Sequence, residues 1–481
     1  MVIQKQSLVK NLSYQFLYQV LVLVVPLVMT PYLTRTLHGE ALGVYQYVNS
    51  IVSYFFLFAN LGIARHGARL ISQKVDNERD LRIAFWSLFV LHAIVAFLCI
   101  LAYALFVRLF VKDNVDIYYI HILYLIYALF DTSWFFIGLE CFKKVAIYSS
   151  VVKVIETVFI FVFVKEASDL SVYALIINCG FALNSIVLFV NVFGVVKPIR
   201  ISMKDIVIHI KPMLLFTVSV VAASLYTVFD KTLLGVLASK ENVAYYTYSY
   251  QIIRVPIVIS SVVGSVVFPR ACRMVAEGNT KEQKKVFDCS ITFITMVSVG
   301  AMFGILGVSD LLAEVYLGKE FSVCGNVMKA LTPLIYIVSI GEIIRNQYLI
   351  PNGLDDKYVK CLIFNAIINV VISSILIPFL GIFGAIIGTI CAELFGLLYQ
   401  SSCCCSAFSF KEVLVQIIPF SIFGFAMLCI IYCVGFVLPF NFLGLIVEIL
   451  IGFLVYAVLV ILYFVKSKKQ NFTEMIRLFT N

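Results

Sequence analysis

Residues 84–107 read AFWSLFVLHAIVAFLCILAYALFV, an unbroken run with no lysine, arginine, aspartate or glutamate. About 20 mostly apolar residues in a helix cross the hydrocarbon core of a bilayer. Backbone polar groups in lipid must find partners within their own segment, so such a run is read as a helix. Similar runs recur along the whole chain. The expected spans are 12–33, 42–63, 84–107, 115–138, 145–164, 170–193, 211–237, 243–268, 287–308, 328–350, 360–379, 381–402, 413–434 and 441–465, about fourteen in all. The expected fold class is an all-α polytopic membrane protein.

Composition supports this. Apolar residues make up 62% and charged residues 13% of 481 positions, where a soluble domain carries roughly 25% charge. Mean hydropathy is +1.02. The net charge of +9 would suggest nucleic acid in a soluble chain. Here it reads as the excess of Lys and Arg in cytoplasmic loops. Alternate loops differ sharply: one set, with Arg65, Arg69, Lys143, Lys144, Lys197, Arg200, Arg270 and Lys357, totals about 25 Lys and Arg, the other about 7. Both termini are therefore expected in the cytoplasm of a plasma or inner membrane, which agrees with an even number of spans. The first apolar run has no small-residue cleavage site after it and reads as a retained helix.

No connection exceeds about 20 residues, and none carries a GxxxxGK[ST] phosphate loop. Energy must come from a gradient or from the substrate. The thirteen cysteines lie scattered in apolar runs, as at Cys99, Cys179, Cys361 and Cys429, without CxxC or Cys/His spacing. No metal or other cofactor is expected. The run Cys403-Cys404-Cys405 is unusual; helix-end packing and acylation are its two readings.

A weak repeat links the two halves. Gly43–Ile51 (GVYQYVNSI) opens the second span and Ala244–Ile252 (AYYTYSYQI) the eighth; the offset of 201 also places Arg69 over Arg270, each expected just past its helix. A six-helix unit repeated in the same orientation is a transporter device, with the substrate site at the repeat interface. The expected domains are 1–200, 201–405, and 406–481 with two further helices and a basic tail.

Charges at bilayer depth cost roughly 2.5–3.5 kcal/mol even on lenient insertion scales, so each needs a reason. Lys153, Lys231, Arg254 and Arg345 are the embedded cations; Asp131, Glu156, Asp230, Glu342, Glu393 and Glu448 are the embedded anions. Lys153/Glu156 and Glu342/Arg345 are three apart and share a helix face, as substrate contacts or as structural pairs. Asp230 and Lys231 are adjacent, so each looks for a partner elsewhere. Arg254 has no acidic neighbour on its own helix and is the leading candidate for a cation facing a wet cavity. Asp230, Glu393 and Glu448 are candidates for a coupling proton or Na⁺. Tyr45, Tyr47, Tyr246 and Tyr250 could line a sugar surface or pack helices. Pro26, Pro212, Pro256 and Pro333 could bend helices during transport or simply kink them.

Several segments resemble the oligosaccharide flippases of polysaccharide biosynthesis, the Wzx-type branch of the MOP superfamily. These are Pro31–Leu37, Gly43–Tyr45, Gly62–Arg69, Trp134–Glu140 (WFFIGLE), Asp230–Gly235 (DKTLLG) with Tyr245-Tyr246, and the set Asn365, Asn369, Pro378, Gly381, Gly384, Glu393. The resemblance implies two pseudo-symmetric six-helix lobes around a central cavity plus two C-terminal helices. It implies a substrate of the undecaprenyl-pyrophosphate-linked oligosaccharide type, flipped to the outer leaflet by alternating access for capsule, exopolysaccharide or O-antigen assembly. A polymerase and a chain-length regulator would be its pathway partners, and it would not be an enzyme. Arg254, Lys231 and Arg35 suit the pyrophosphate and sugars. A cation-coupled drug exporter or lipid II exporter is the near alternative, and a membrane polysaccharide polymerase or glycosyltransferase the one from a different class.

Overall fold

The computed structural model describes residues 8–60, 62–404 and 410–467, with 8–17, 215–227, 410–414 and 467 described by backbone alone. The basic tail beyond 467, Lys5 and Cys405 lie outside the described residues. Every regular element among the described residues is helical. Thirteen helical stretches are long and apolar enough to cross a membrane. Ile210–Leu237, a helix of 28 residues, occupies the remaining expected span. The described chain is a multi-pass membrane protein, and it forms two compact units that divide between Thr232 and Leu233.

The first unit contains α1 (Leu8–Thr36), α2 (His38–Asn60), α3 (Ile63–Lys74), α4 (Glu78–Phe110), α5 (Val115–Ile120), α6 (Ile122–Phe130), α7 (Ser133–Gly138), α8 (Phe142–Phe163), α9 (Leu170–Val192), α10 (Met203–Val207) and the start of α11 (Ile210–Leu237). Asn77 starts α4 by accepting from the Arg79 and Asp80 amides at 3.0 and 3.3 Å, and Glu78 and Asp80 in the first turn favour its positive end. Further along, Phe97, Leu101, Leu105 and Leu109 stay exposed at four-residue spacing, an apolar stripe fit for lipid.

Gly62, whose φ of 65° lies in the left-handed region, precedes the first residue of α3. Here the repeat departs from its expected symmetry. Arg69 lies past α2, within the separate helix α3, whereas Arg270 lies within the unbroken α12 (Lys240–Ala276). The inner core of the unit forms where α3 crosses α7. Trp134 is fully buried, with its ring 5.4 Å from Phe85. A Cβ at Gly67 would run into the Trp134 indole, and one at Gly138 would meet Ala68 O and Ile71 Cβ at 2.8 Å. Small residues thus set the helix approach, as lipid provides no hydrophobic drive between helices.

The expected fourth span, 115–138, is three short helices instead of one. Asp131, expected deep in a helix, sits in the break between α6 and α7 with extended backbone (φ −66°, ψ 110°). Its carboxylate accepts from the Ser133 amide at 2.9 Å and its carbonyl from the Trp134 indole at 3.0 Å. The carboxyl group therefore has a freed backbone amide as its partner.

The second unit holds the end of α11 with α12, α13 (Thr280–Leu312), α14 (Val323–Leu331), α15 (Pro333–Ile344), α16 (Asp355–Leu380), α17 (Ile382–Cys403), α18 (Phe410–Gly435) and α19 (Phe442–Ser467). Helices α18 and α19 pack on α13 and on each other. The pair α16/α17 is the tightest. Cβ atoms at Gly384, Gly388 and Gly396 would strike the Leu376–Ile377 backbone, Ser373 and Asn365 respectively. The tenth span is also divided: Pro333 opens α15 at its first turn, and a π-helical turn, Arg345–Leu349, closes it. Pro26, Pro256 and Pro378 lie inside α1, α12 and α16, while Pro212 stands near the start of α11.

Candidate functional site

In the first unit, Lys153 and Glu156 form the expected pair, Nζ to Oε2 at 2.8 Å. Glu156 is 4% exposed. It lies where α9 has only Gly180, since a Cβ there would overlap its carboxylate. The Lys153 ammonium stands 5.8 Å from the Phe181 ring centre. This is a built ion pair with a matched glycine and not a loose surface contact. Asp230 is 1% exposed. Close to it, Thr232 Oγ1 lies 2.9 Å from Ser50 Oγ and 3.1 Å from Tyr54 Oη. This hydroxyl cluster ties α2 to α11. Arg35 is exposed and donates to the Pro31 carbonyl of its own helix at 2.6 Å.

Tyr45 is buried against Tyr173 and His121, with ring centres at 4.8 and 5.2 Å. It is a packing residue, and the sugar-surface expectation does not hold for it.

A polar chain that single-sequence reasoning missed lies at the end of α4 nearest the connection into α11. Ser87 Oγ donates to the Ile83 carbonyl at 2.6 Å. It therefore accepts from His209 Nε2–H at 3.1 Å. That assigns the His209 lone pair to Nδ1, which accepts from His66 Nε2–H at 3.3 Å. This is the arrangement of a neutral His209; a charged ring would need His66 in its other tautomer, with Nε2 as the acceptor. His209 lies between α10 and α11 and is 8% exposed. Burial, then the neighbouring His66, pushes its pKa down to about 4, with Asp205 opposing. Sequence gave no signal for this grouping, because the three residues are separated by up to 143 positions.

In the second unit, Arg254 is exposed on α12 and makes no hydrogen bond or ion pair among the described residues. Glu342 and Arg345 form the other expected pair at 2.9 Å. Ser261 of α12 donates to the second Glu342 oxygen at 2.7 Å. Arg345 also reaches Asn346 Oδ1 at 3.3 Å and Tyr358 Oη at 3.4 Å, and stands over the Tyr358 ring at 5.4 Å. Glu393 is half-buried on α17. Glu448 is 6% exposed, faces Gly435, and has no hydrogen bond or ion pair among the described residues. Lys231, at the end of the first unit, is half-buried one residue from Asp230. Tyr246 is buried, its hydroxyl 3.2 Å from Thr389 Oγ1 and its ring 6.0 Å from that of Tyr250, so it too packs the core. Cys404 is buried with its Sγ 3.3 Å from the Gln400 carbonyl, which matches the packing reading of the cysteine run.

A cavity of about 590 Å³ lies among α13, α18 and α19, walled by Met296, Gly300, Gly304, Met427, Gly452 and Tyr456. The Tyr456 hydroxyl is already bonded to the Met296 carbonyl at 2.7 Å, so the walls suit hydrocarbon and not sugar. No group of three or more His, Cys, Asp or Glu that could hold a metal occurs among the described residues.

Residues 8–275 match the family model described as "Polysaccharide biosynthesis protein". A relative from Shigella dysenteriae, "Putative O-antigen transporter", is 25% identical over 399 residues, covering 81% of this chain and 98% of that protein. Among solved structures, "Lipid II flippase MurJ, inward closed conformation" superposes with a TM-score of 0.76 at 15% identity, over 96% of this chain and all of that one. An inward-facing multidrug resistance MATE family transporter of the MOP superfamily gives 0.58 at 13% identity, over 84% and 95%. At these identities the two structures speak to the fold alone, a polytopic helical fold that this chain shares with both.

Proposed function

Since the chain belongs to the polysaccharide biosynthesis protein family, we propose that it is a flippase for polyprenyl-pyrophosphate-linked oligosaccharide repeat units. It carries them from the cytoplasmic to the outer leaflet of a plasma or inner membrane, with both termini cytoplasmic, by alternating access of two lobes. The sugars then feed surface polysaccharide assembly beside a polymerase and a chain-length regulator. The protein makes and breaks no covalent bond in the substrate.

The observation that carries this reading is Arg254: a cation on a membrane helix, exposed and without a protein partner among the described residues. Such a residue is tolerated at depth when it faces water or an anion. A pyrophosphate supplies that anion, and an arginine fork suits its geometry. Lys231 and Arg35 would add positive charge on the path, and the Lys153/Glu156 pair would add polar contacts for sugar. The apolar cavity among α13, α18 and α19 would seat part of the polyprenyl chain, which leaves lipid hydrocarbon for walls of similar polarity. Glu448, buried and unpaired among the described residues, supports a coupling role for a proton or Na⁺, shared with Asp230 and Glu393.

The test is transbilayer movement of a labelled polyprenyl-pyrophosphate oligosaccharide in proteoliposomes, with and without a proton or Na⁺ gradient. Movement that depends on the protein supports the flippase. Newly formed glycosidic bonds, or export of cationic drugs without movement of the glycolipid, would overturn it.

A further inference from the structure

The ion pair at the end of α15 differs from an ordinary intrahelical pair in three ways. Its arginine begins a π-helical turn, Arg345–Leu349, and such turns are rare and gather at functional sites. Its glutamate has a second anchor on another helix, the Ser261 hydroxyl at 2.7 Å. Its guanidinium uses three of five N–H groups, on Glu342, Asn346 and Tyr358, and keeps 28% of its side chain open. Two positions on, Gln347 is buried with neither amide atom hydrogen-bonded. A turn that leaves a buried amide unsatisfied is not a minimum for packing alone.

We propose that Glu342 is a displaceable counter-ion which occupies Arg345 until a pyrophosphate takes its place. This rests on the flippase reading and adds to it a second oxyanion site, distinct from Arg254. Without a carboxylate beside it, an arginine at this depth would be costly in the empty transporter. With one, the cation is held ready. An incoming phosphate offers more negative charge and two oxygens matched to the arginine fork. Glu342 then withdraws and keeps its hydrogen bond from Ser261, so neither group is left bare. The turn that follows, 350–354, falls on the side that the loop charges assign to the cytoplasm, where substrate is loaded.

A merely structural pair and a displaceable one predict different signs. The test measures binding of inorganic pyrophosphate to the purified full-length chain in uncharged detergent, by calorimetry. Glu342→Gln removes the competitor and should tighten binding roughly tenfold, while Arg345→Gln should weaken it by at least roughly tenfold. Ser261→Ala leaves the ion pair in place but deprives Glu342 of its resting partner, so binding should weaken about threefold. Affinity moving in the same direction for Glu342→Gln and Arg345→Gln, or unmoved by both, would overturn the proposal. Should Arg345→Gln fail to fold by gel filtration, the opposite signs of Glu342→Gln and Ser261→Ala decide alone. Phosphatidylglycerol competing as well as pyrophosphate would overturn the assignment of the ligand. Oligosaccharide movement in proteoliposomes is scored separately: movement with the wrong signs removes only the counter-ion role, and opposite signs without movement remove only the flippase reading.

Discussion

Acidification should loosen the first unit through one histidine. His209 is buried beside Ser87 and His66, and that burial holds its folded pKa at about 4 against an ordinary 6.5. Between those values the unfolded chain binds a proton that the folded one refuses. Stability therefore falls as pH drops from about 6.5 to about 4 and levels off below. This linkage is worth at most about 3 kcal/mol, the full value being reached only without solvent screening of the ring. For a unit of this size the full value is a fall in Tm of roughly 6–12 °C. The assay is a thermal-unfolding series from pH 7.5 to 4.5 in detergent, comparing wild type with His209→Gln. Glutamine does not titrate, so the variant should start less stable at pH 7.5 and lose less on acidification, with the two curves converging by at most about 3 kcal/mol. Parallel curves across the whole series would refute the neutral-histidine argument.

Three other outcomes follow from geometry. Arg254→Ala should lower export of the repeat unit about 10- to 100-fold at unchanged membrane level, read by surface polysaccharide at matched expression. Gly180→Ala should place a methyl group where the Glu156 carboxylate lies and cost roughly 2–4 kcal/mol, read as a lower Tm that Glu156→Ala in the same chain partly restores. Lys143→Ala, at the start of α8, should leave export within about twofold, since ion pairs near a surface carry little energy.

Hydropathy located the spans because lipid tolerates little else: each expected run is helical, though the fourth and the tenth are divided into shorter pieces. Its blind spots are specific. The break at Asp131 escaped because an extended residue between two apolar helices leaves the local hydropathy unchanged; only its carboxylate, reaching the Ser133 amide, marks it. The π turn at Arg345–Leu349 escaped for the same reason. Three-residue spacing did reveal Lys153/Glu156 and Glu342/Arg345, as contacts within one helix are set by the helix itself. Contacts between helices were not legible: Gly180 under Glu156, Ser261 on Glu342, and His66 on His209. For the tyrosines the sequence left two readings open, sugar surface or helix packing; Tyr45 and Tyr246 are enclosed by neighbouring helices, which supports packing for these two.

Both tryptophans of the chain, Trp86 and Trp134, lie in the first unit. Each indole is tied to a backbone carbonyl, Trp86 to Lys197 at 3.1 Å and Trp134 to Asp131 at 3.0 Å. Intrinsic emission from this protein is therefore a local signal. Trp86 sits next to Ser87 and reports on the connection leading to His209, while Trp134 reports on the break between α6 and α7. Single-tryptophan variants would turn the pair into two separate optical channels, one for acidification and one for bending of the divided span, with no label attached.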